Sequence, residues 1–238
     1  MLLLAGCGGS PAPSPSPSPS GTGAVVSISL DDGTAGQLTN AQPVLARLQL
    51  PATFYLVSDA LDYGEANLNA EQAKSLVAAG QEIGNHTKSH RDLSMLPGAQ
   101  LVTDLTGAQT ALASRVGVTP TTCAYPYGGR NAAVVAEAKK LFKGCRTTDS
   151  GENATGFDAY ALTTFLANGT TTVSEVQAAL DQARASGSWL IFTYHGVGPQ
   201  PGSELDVTTD AFAAQVEAIK ASGIPVQTVG AALTSLGR

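Results

Sequence analysis

From Ala24 to the C-terminus, short apolar runs alternate with stretches whose apolar residues recur every three or four positions. The first pattern is that of buried strands, the second that of amphipathic helices. Residues 25–30, 52–57, 82–84, 121–125, 143–147, 161–165, 189–193 and 225–228 read as strands. Residues 38–48, 69–79, 100–116, 132–141, 173–185 and 212–221 read as helices, with a short final helix after 228. Gly80 marks the stop of the second helix, and Pro126–Gly129 is a turn by composition.

Seven to eight βα units within residues 24–238 predict a single α/β domain: a distorted or incomplete (β/α) barrel of seven to eight parallel strands. An open doubly wound sheet is the competing arrangement. No glycine-rich phosphate loop follows the first strand, which counts against a nucleotide fold.

The polar residues fall at one end of this pattern. Asp31 and Asp32, His86 and His90, Tyr127 and His195 each lie just past the carboxyl end of an expected strand. In a parallel barrel the loops at that rim converge. The chain has three histidines, and all of them are in this set. His86 and His90 are four residues apart, a spacing that stacks two imidazoles on one face of a helical turn. Two imidazoles and a carboxylate form a facial set for Zn²⁺, or for another divalent ion such as Co²⁺ or Ni²⁺. Asp32 would supply the carboxylate, Asp31 a general base and His195 a proton donor. Each signal alone has an ordinary explanation: a turn cap, an exposed histidine pair, a hydrogen-bonded core histidine or a turn aromatic. Their coincidence at one rim is what points to hydrolysis of an acyl bond.

Composition narrows the partners. The chain of 238 residues is 43% hydrophobic and 13% charged, with a net charge of −6 and no Lys/Arg cluster. That argues against nucleic acid and against a basic membrane-binding surface. Residues 1–7, Met-Leu-Leu-Leu-Ala-Gly-Cys, end like a bacterial lipoprotein signal, with Cys7 as the acylated residue. Residues 8–23 hold a Pro-Ser alternation that favours extended geometry and would reach roughly 30 Å. The expectation is an extracytoplasmic protein, anchored to the cell envelope by lipid alone, with a monomeric barrel domain over 24–238. Cys123 and Cys145 could form a disulfide in such a compartment or remain buried thiols.

At these residues the sequence resembles the polysaccharide deacetylase family, the NodB-like domains of carbohydrate esterase family four. The family's Thr-Phe-Asp-Asp-Gly appears as Ser29-Leu30-Asp31-Asp32-Gly33, and its His-(Ser/Thr)-x-x-His as His86-Thr87-Lys88-Ser89-His90. Its Arg-x-Pro-Tyr-Gly corresponds to Ala124-Tyr125-Pro126-Tyr127-Gly128, and its late Leu-x-His to Thr193-Tyr194-His195. The resemblance implies a metal held by Asp32, His86 and His90, with Asp31 as base and His195 as acid. It also implies an oxyanion donor at the Tyr127 N–H, flanked by Pro126 and Gly128. Tyr125, Tyr127 and Tyr194 are the expected sugar contacts. The implied reaction is removal of acetyl groups from an acetylated glycan, most often an N-acetylated amino sugar. An O-acetyl xylan-type esterase and a catalytically impaired glycan-binding lipoprotein are the alternatives. Two departures bear on activity. The family arginine before the third motif is Ala124 here, and the family's Asp-x-x-Asp-Trp stretch is missing, Asp158 being the nearest acid.

Overall fold

The computed structural model describes residues 23–200 and 202–238. Cys7 and all of the Pro/Ser segment except Gly23 lie outside the described residues. Seven parallel strands form a closed barrel in sequence order. They are β1 (Val25–Asp32), β2 (Thr53–Leu56), β3 (Glu82–Asn85), β4 (Thr122–Ala124), β5 (Gly144–Ser150), β6 (Leu162–Leu166) and β7 (Trp189–Tyr194). The barrel closes where β7 pairs with β1, from Val25 opposite Trp189 to Leu30 opposite Tyr194. It is distorted at two seams. β3 and β4 share only the pair Asn85–Cys123, and the β5–β6 register shifts between Arg146 and Ser150.

Among the described residues, seven α-helices pack against the strands: α1 (Gln42–Leu48), α2 (Ala70–Ala78), α3 (Gly98–Val116), α4 (Ala132–Leu141), α5 (Val173–Ser186), α6 (Thr209–Ala221) and α7 (Val229–Ser235). Their starts follow the sequence chemistry. Asn69 with Gln72 and Thr172 with Glu175 form reciprocal capping boxes on α2 and α5, satisfying donors that a helix N-terminus leaves free.

The two-residue period of the strands sorts the core into two layers. Val26, Ile28, Leu30, Leu190, Phe192 and Tyr194 pack outward with the helices. Val25, Tyr55, Ala124, Trp189 and Ile191 pack inside, where Val229, Ala232 and Leu233 of α7 join them. The interior is partly polar. The Trp189 indole N–H donates to Ser27 Oγ at 2.9 Å, and the Ser29, Thr193 and Thr164 hydroxyls form a chain with spacings of 2.9 and 2.7 Å.

The strand expected at 225–228 does not form. Val26 N–H donates to Pro225 O at 3.0 Å and Gln227 N–H to Val26 O at 2.9 Å, which leaves one isolated bridge from Val26 to Val226. On β1, β2 pairs only with Ser29–Asp32, so this segment covers the part of β1 that β2 leaves open. Pro225 has no N–H to extend a ladder, and Thr228 already caps α7. The barrel therefore has seven strands. Cys123 and Cys145, paired in register on β4 and β5, are joined in a disulfide with their Cα atoms 4.4 Å apart.

Candidate active site at the carboxyl rim of the barrel

Asp31 and Asp32 end β1, and neighbouring strands bring the other groups to them. His86 directly follows β3, His195 directly follows β7, and Tyr127 lies in a 3₁₀ turn after β4. Asp32 Oδ1 is 3.4 Å from His86 Nε2 and 3.2 Å from His90 Nε2. The two imidazole centroids are 4.8 Å apart. The potential ligand atoms of Asp32, His86 and His90 all lie within 4.8 Å of one another.

The histidine pair is not on a helix, contrary to the reading of its four-residue spacing. Thr87 and His90 take left-handed backbone conformations with φ of 68° and 57°, which fold the segment into a tight loop. That conformation is uncommon for residues with a Cβ and unfavourable for a branched one. Side chains hold it in place. Asn85 Oδ1 accepts from Thr87 N–H at 2.8 Å, and Thr87 Oγ1 accepts from His90 N–H at 3.0 Å. Buried Asp104 on α3 accepts from the Lys88 and Ser89 N–H groups at 2.8 and 3.0 Å, and from Ser89 Oγ at 2.6 Å. Asp32 and Tyr127 are also left-handed, with φ of 76° and 58°. Of the five positive-φ residues other than glycine among the described residues, four lie at this rim, and the fifth, Gln49, caps α1. Such conformations cost of order 1–3 kcal/mol each and persist only where the surroundings impose them.

The donor set fits a divalent cation. His86 Nδ1 lies 2.8 Å from Ala124 O, so it carries the proton and leaves Nε2 free as a ligand. Asp32 Oδ1 is buried and has no hydrogen-bond donor. Tetrahedral Zn²⁺ ligands sit about 3.3 Å apart when each is about 2.0–2.1 Å from the ion; both nitrogen–oxygen spacings on Asp32 are close to that. The electrostatics agree. Burial opposes charge on Asp32, but the adjoining His86 and His90 imidazoles hold its carboxyl far below the usual range. Burial likewise opposes charge on His86, yet Asp31 and Asp32 raise its pKa. These carboxylates favour a cation beside them.

Asp31 is not part of the ligand set. Its Oδ2 contacts a terminal guanidinium nitrogen of Arg146 on β5, and lies 3.9 Å from His86 Nε2 and 4.0 Å from His195 Nε2. Its Oδ1 is buried without a partner. Burial would raise its pKa, but Arg146, with His86 and His195, more than offsets that and keeps it ionised. Sequence reasoning missed Arg146. A buried guanidinium needs a carboxylate, so a lone arginine in the run Gly144–Thr147 was the available signal. It is 1% exposed, stands in register opposite Ala124, and lies over the Tyr55 ring. A charge missing from the third motif is thus present on the next strand.

Two expected sugar contacts are corrected. Tyr125 packs with Leu93, Leu101 and Cys123, and Tyr194 stacks edge-on against Phe212 with centroids 4.9 Å apart. At 1% and 0% exposure neither ring reaches a ligand at the rim. Pro126 is buried as well. Tyr127 is 68% exposed, with its ring edge-on to His90, and is the expected tyrosine that stays open to a ligand. Gly128 lies tightly against Thr148, where a Cβ would come within 2.4 Å of the Thr148 hydroxyl.

Carboxylates and imidazoles gathered at the carboxyl rim of a closed parallel barrel form a donor set suited to a divalent cation. The polysaccharide deacetylase family model matches residues 19–142, over half of the chain, and the chain belongs to that family. It is 30% identical over 110 residues to a chitin deacetylase from Pestalotiopsis sp, covering 46% of this chain and 36% of that one. It is 26% identical over 138 residues to YxkH of Bacillus subtilis (strain 168), covering 58% and 49%. The matched region therefore spans half or less of these relatives. Among solved structures, a family 4 acetyl xylan esterase from Clostridium thermocellum with a cobalt ion superposes with a TM-score of 0.63. That match covers 89% of this chain and 91% of that one at 20% identity, a likeness of fold.

Proposed function

We propose that this protein is a metal-dependent hydrolase that removes acetyl groups from an acetylated glycan, with N-acetylated amino sugars as the preferred class. The observation that carries the reading is the juxtaposition of Asp32, His86 and His90 with Asp31, whose Oδ2 lies 3.9 Å from His86 Nε2 and 4.0 Å from His195 Nε2. Asp32, His86 and His90 would hold a divalent ion such as Zn²⁺, Co²⁺ or Ni²⁺. Such an ion supplies carbonyl polarisation and a water of lowered pKa.

The remaining chemistry belongs to the side chains. Asp31, ionised beside Arg146, accepts the proton of the attacking water at its unpartnered Oδ1. His195 Nε2 donates a proton to the departing amine or alkoxide. The Tyr127 N–H stabilises the oxyanion, a role suited to a donor fixed before the reaction begins. The exposed Tyr127 ring offers a face to a sugar. An N-acetyl amide and an O-acetyl ester demand the same groups, so the chitin-type and xylan-type relatives are both compatible with this rim.

We further propose lipidation at Cys7, a spacer over 8–23 and an extracytoplasmic location at the cell envelope. The Cys123–Cys145 disulfide supports an oxidising compartment. One observation favours the impaired, glycan-binding alternative: His195 Nδ1 is buried without a partner, so no carboxylate orients the acid.

The test is acetate release by metal-reconstituted protein from N-acetylglucosamine oligomers and acetylated xylan, with and without prior chelation. The expected result is release that chelation abolishes and that Asp31→Asn lowers about 10²- to 10⁴-fold with metal retained. No release from either substrate, nor from other acetylated envelope glycans, by protein with bound metal would establish the binding reading instead.

A further inference from the structure

The ladder between β1 and β7 ends at Leu30–Tyr194, one residue short of both Asp31 and His195. One side chain takes over there. Gln37, fully buried in a π-helical turn (Gln37–Ala41), donates from Nε2 to the carbonyl of Asp31 and, at 3.1 Å, to the carbonyl of His195. A primary amide nitrogen carries two protons, so it can serve both oxygens at once. The turn is pressed against the chain that follows His195. A Cβ on Gly36 would come within 2.2 Å of Val197 O, and Asn40 Nδ2 donates to that same oxygen at 2.9 Å. π-Helical turns are rare and recur at functional sites.

We propose that Gln37 is a positioning residue that sets the spacing between Asp31 and His195, resting on the assignment of these two as base and acid. Without its two donors, the direct link between the Asp31 and His195 carbonyls is lost. The 4.0 Å separation of Asp31 Oδ2 and His195 Nε2 then widens or fluctuates. Gln37 bonds the backbone carbonyls of Asp31 and His195 and makes no hydrogen bond to a side chain of Asp32, His86 or His90, so the effect is expected on turnover more than on binding.

The experiment compares Gln37→Met, which keeps the volume and removes both donors, with Asn40→Ala, which loosens the same loop two residues further on. Three readouts are taken: acetate-release kinetics, Zn²⁺ affinity by calorimetry, and the imidazole NMR signals of the three histidines. The expected result for Gln37→Met is a kcat about 10- to 100-fold lower with KM and Zn²⁺ affinity within about twofold, as for misplacement of a reacting group. Its His195 ring signals shift or broaden while those of His86 and His90 stay. Asn40→Ala changes kcat less than about threefold, a small fraction of that misplacement effect. Unchanged kcat in Gln37→Met overturns the proposal, as does an equal loss in Asn40→Ala or a parallel loss of Zn²⁺ affinity. If Gln37→Met does not fold, Gln37→Asn, whose shorter amide cannot span both carbonyls, takes its place. A wild-type protein that releases no acetate counts against the deacetylase reading alone; the His195 signals then decide the role of Gln37.

Discussion

The two sides of the rim are built differently. On the β3 side, His86 and His90 are held through both ring and backbone: Ala124 O fixes the His86 ring, while Asn85, Thr87 and Asp104 fix the loop between them. On the β7 side, His195 is held by its backbone only, through Gln37 at its carbonyl and Asp206 Oδ1, which accepts from Gly196 N–H at 2.9 Å. Its ring has no partner on Nδ1. A ligand set has to hold its geometry before an ion arrives, because reorganising it costs affinity. A proton donor meets a weaker demand, since its hydrogen bonds tighten when substrate is present. Asp31 stands between the two sides, fixed by Arg146.

The sharpest way to break this comparison is to remove one histidine from each side. His90→Ala is expected to lower Zn²⁺ affinity at least about 100-fold and to abolish acetate release with it, since even outer-shell partners are worth that much. His195→Asn is expected to keep Zn²⁺ affinity and lower kcat about 10²-fold. Calorimetry with parallel kinetics checks both, and equal loss of metal in the two variants would erase the distinction.

Next in size is the group between the sides. Arg146→Met leaves Asp31 as an uncompensated buried charge and is expected to destabilise the fold by about 3–5 kcal/mol. Urea unfolding with and without Zn²⁺ measures it. A loss below about 1 kcal/mol, the range of an exposed pair, would mean that the guanidinium contributes no more than a surface ion pair does.

The smallest expected effect sharpens the account of the histidine loop. Asp104→Asn weakens the acceptor of the Lys88 and Ser89 N–H groups and is expected to cost about 1–3 kcal/mol at neutral pH. The sign of its pH dependence follows from the carboxylate. Burial opposes the Asp104 charge, but hydrogen bonds from Ser89, Lys88 and Arg91 outweigh burial and hold its pKa below the ordinary 3.8. The stabilisation is therefore complete well above pH 3.8 and is lost as pH falls below that value toward the lower folded pKa. Wild type and Asp104→Asn should differ most near neutrality and converge in acid, as thermal unfolding from pH 7 to 3 would reveal.

Much of the architecture was legible in the residues themselves. Period-two and period-3.6 patterns located the barrel strands and the main helices, because burial on one face writes itself into local order. The Asp-Asp pair and the three histidines were legible as one rim because parallel strands bring their carboxyl ends together. The segment at 225–228 misled because an apolar run beside a strand has the same pattern whether or not its ladder continues. Tyr125 and Tyr194 misled because motif neighbours alternate in direction, and both turn into the packing. The His-x-x-x-His spacing located the right pair but suggested a helix, where left-handed Thr87 and His90 make a loop.

What the sequence alone determined is the α/β repeat, the end of the strands that carries the chemistry and the residue types that could bind a cation. All of these follow from local periodicity and side-chain chemistry. What only the tertiary structure decided is which buried groups support them. Arg146 meets Asp31 across 115 positions, and Gln37 joins Asp31 to a carbonyl 158 positions away. Barrel closure makes these contacts. No spacing rule foresees a partner that only the closed sheet brings within hydrogen-bond range.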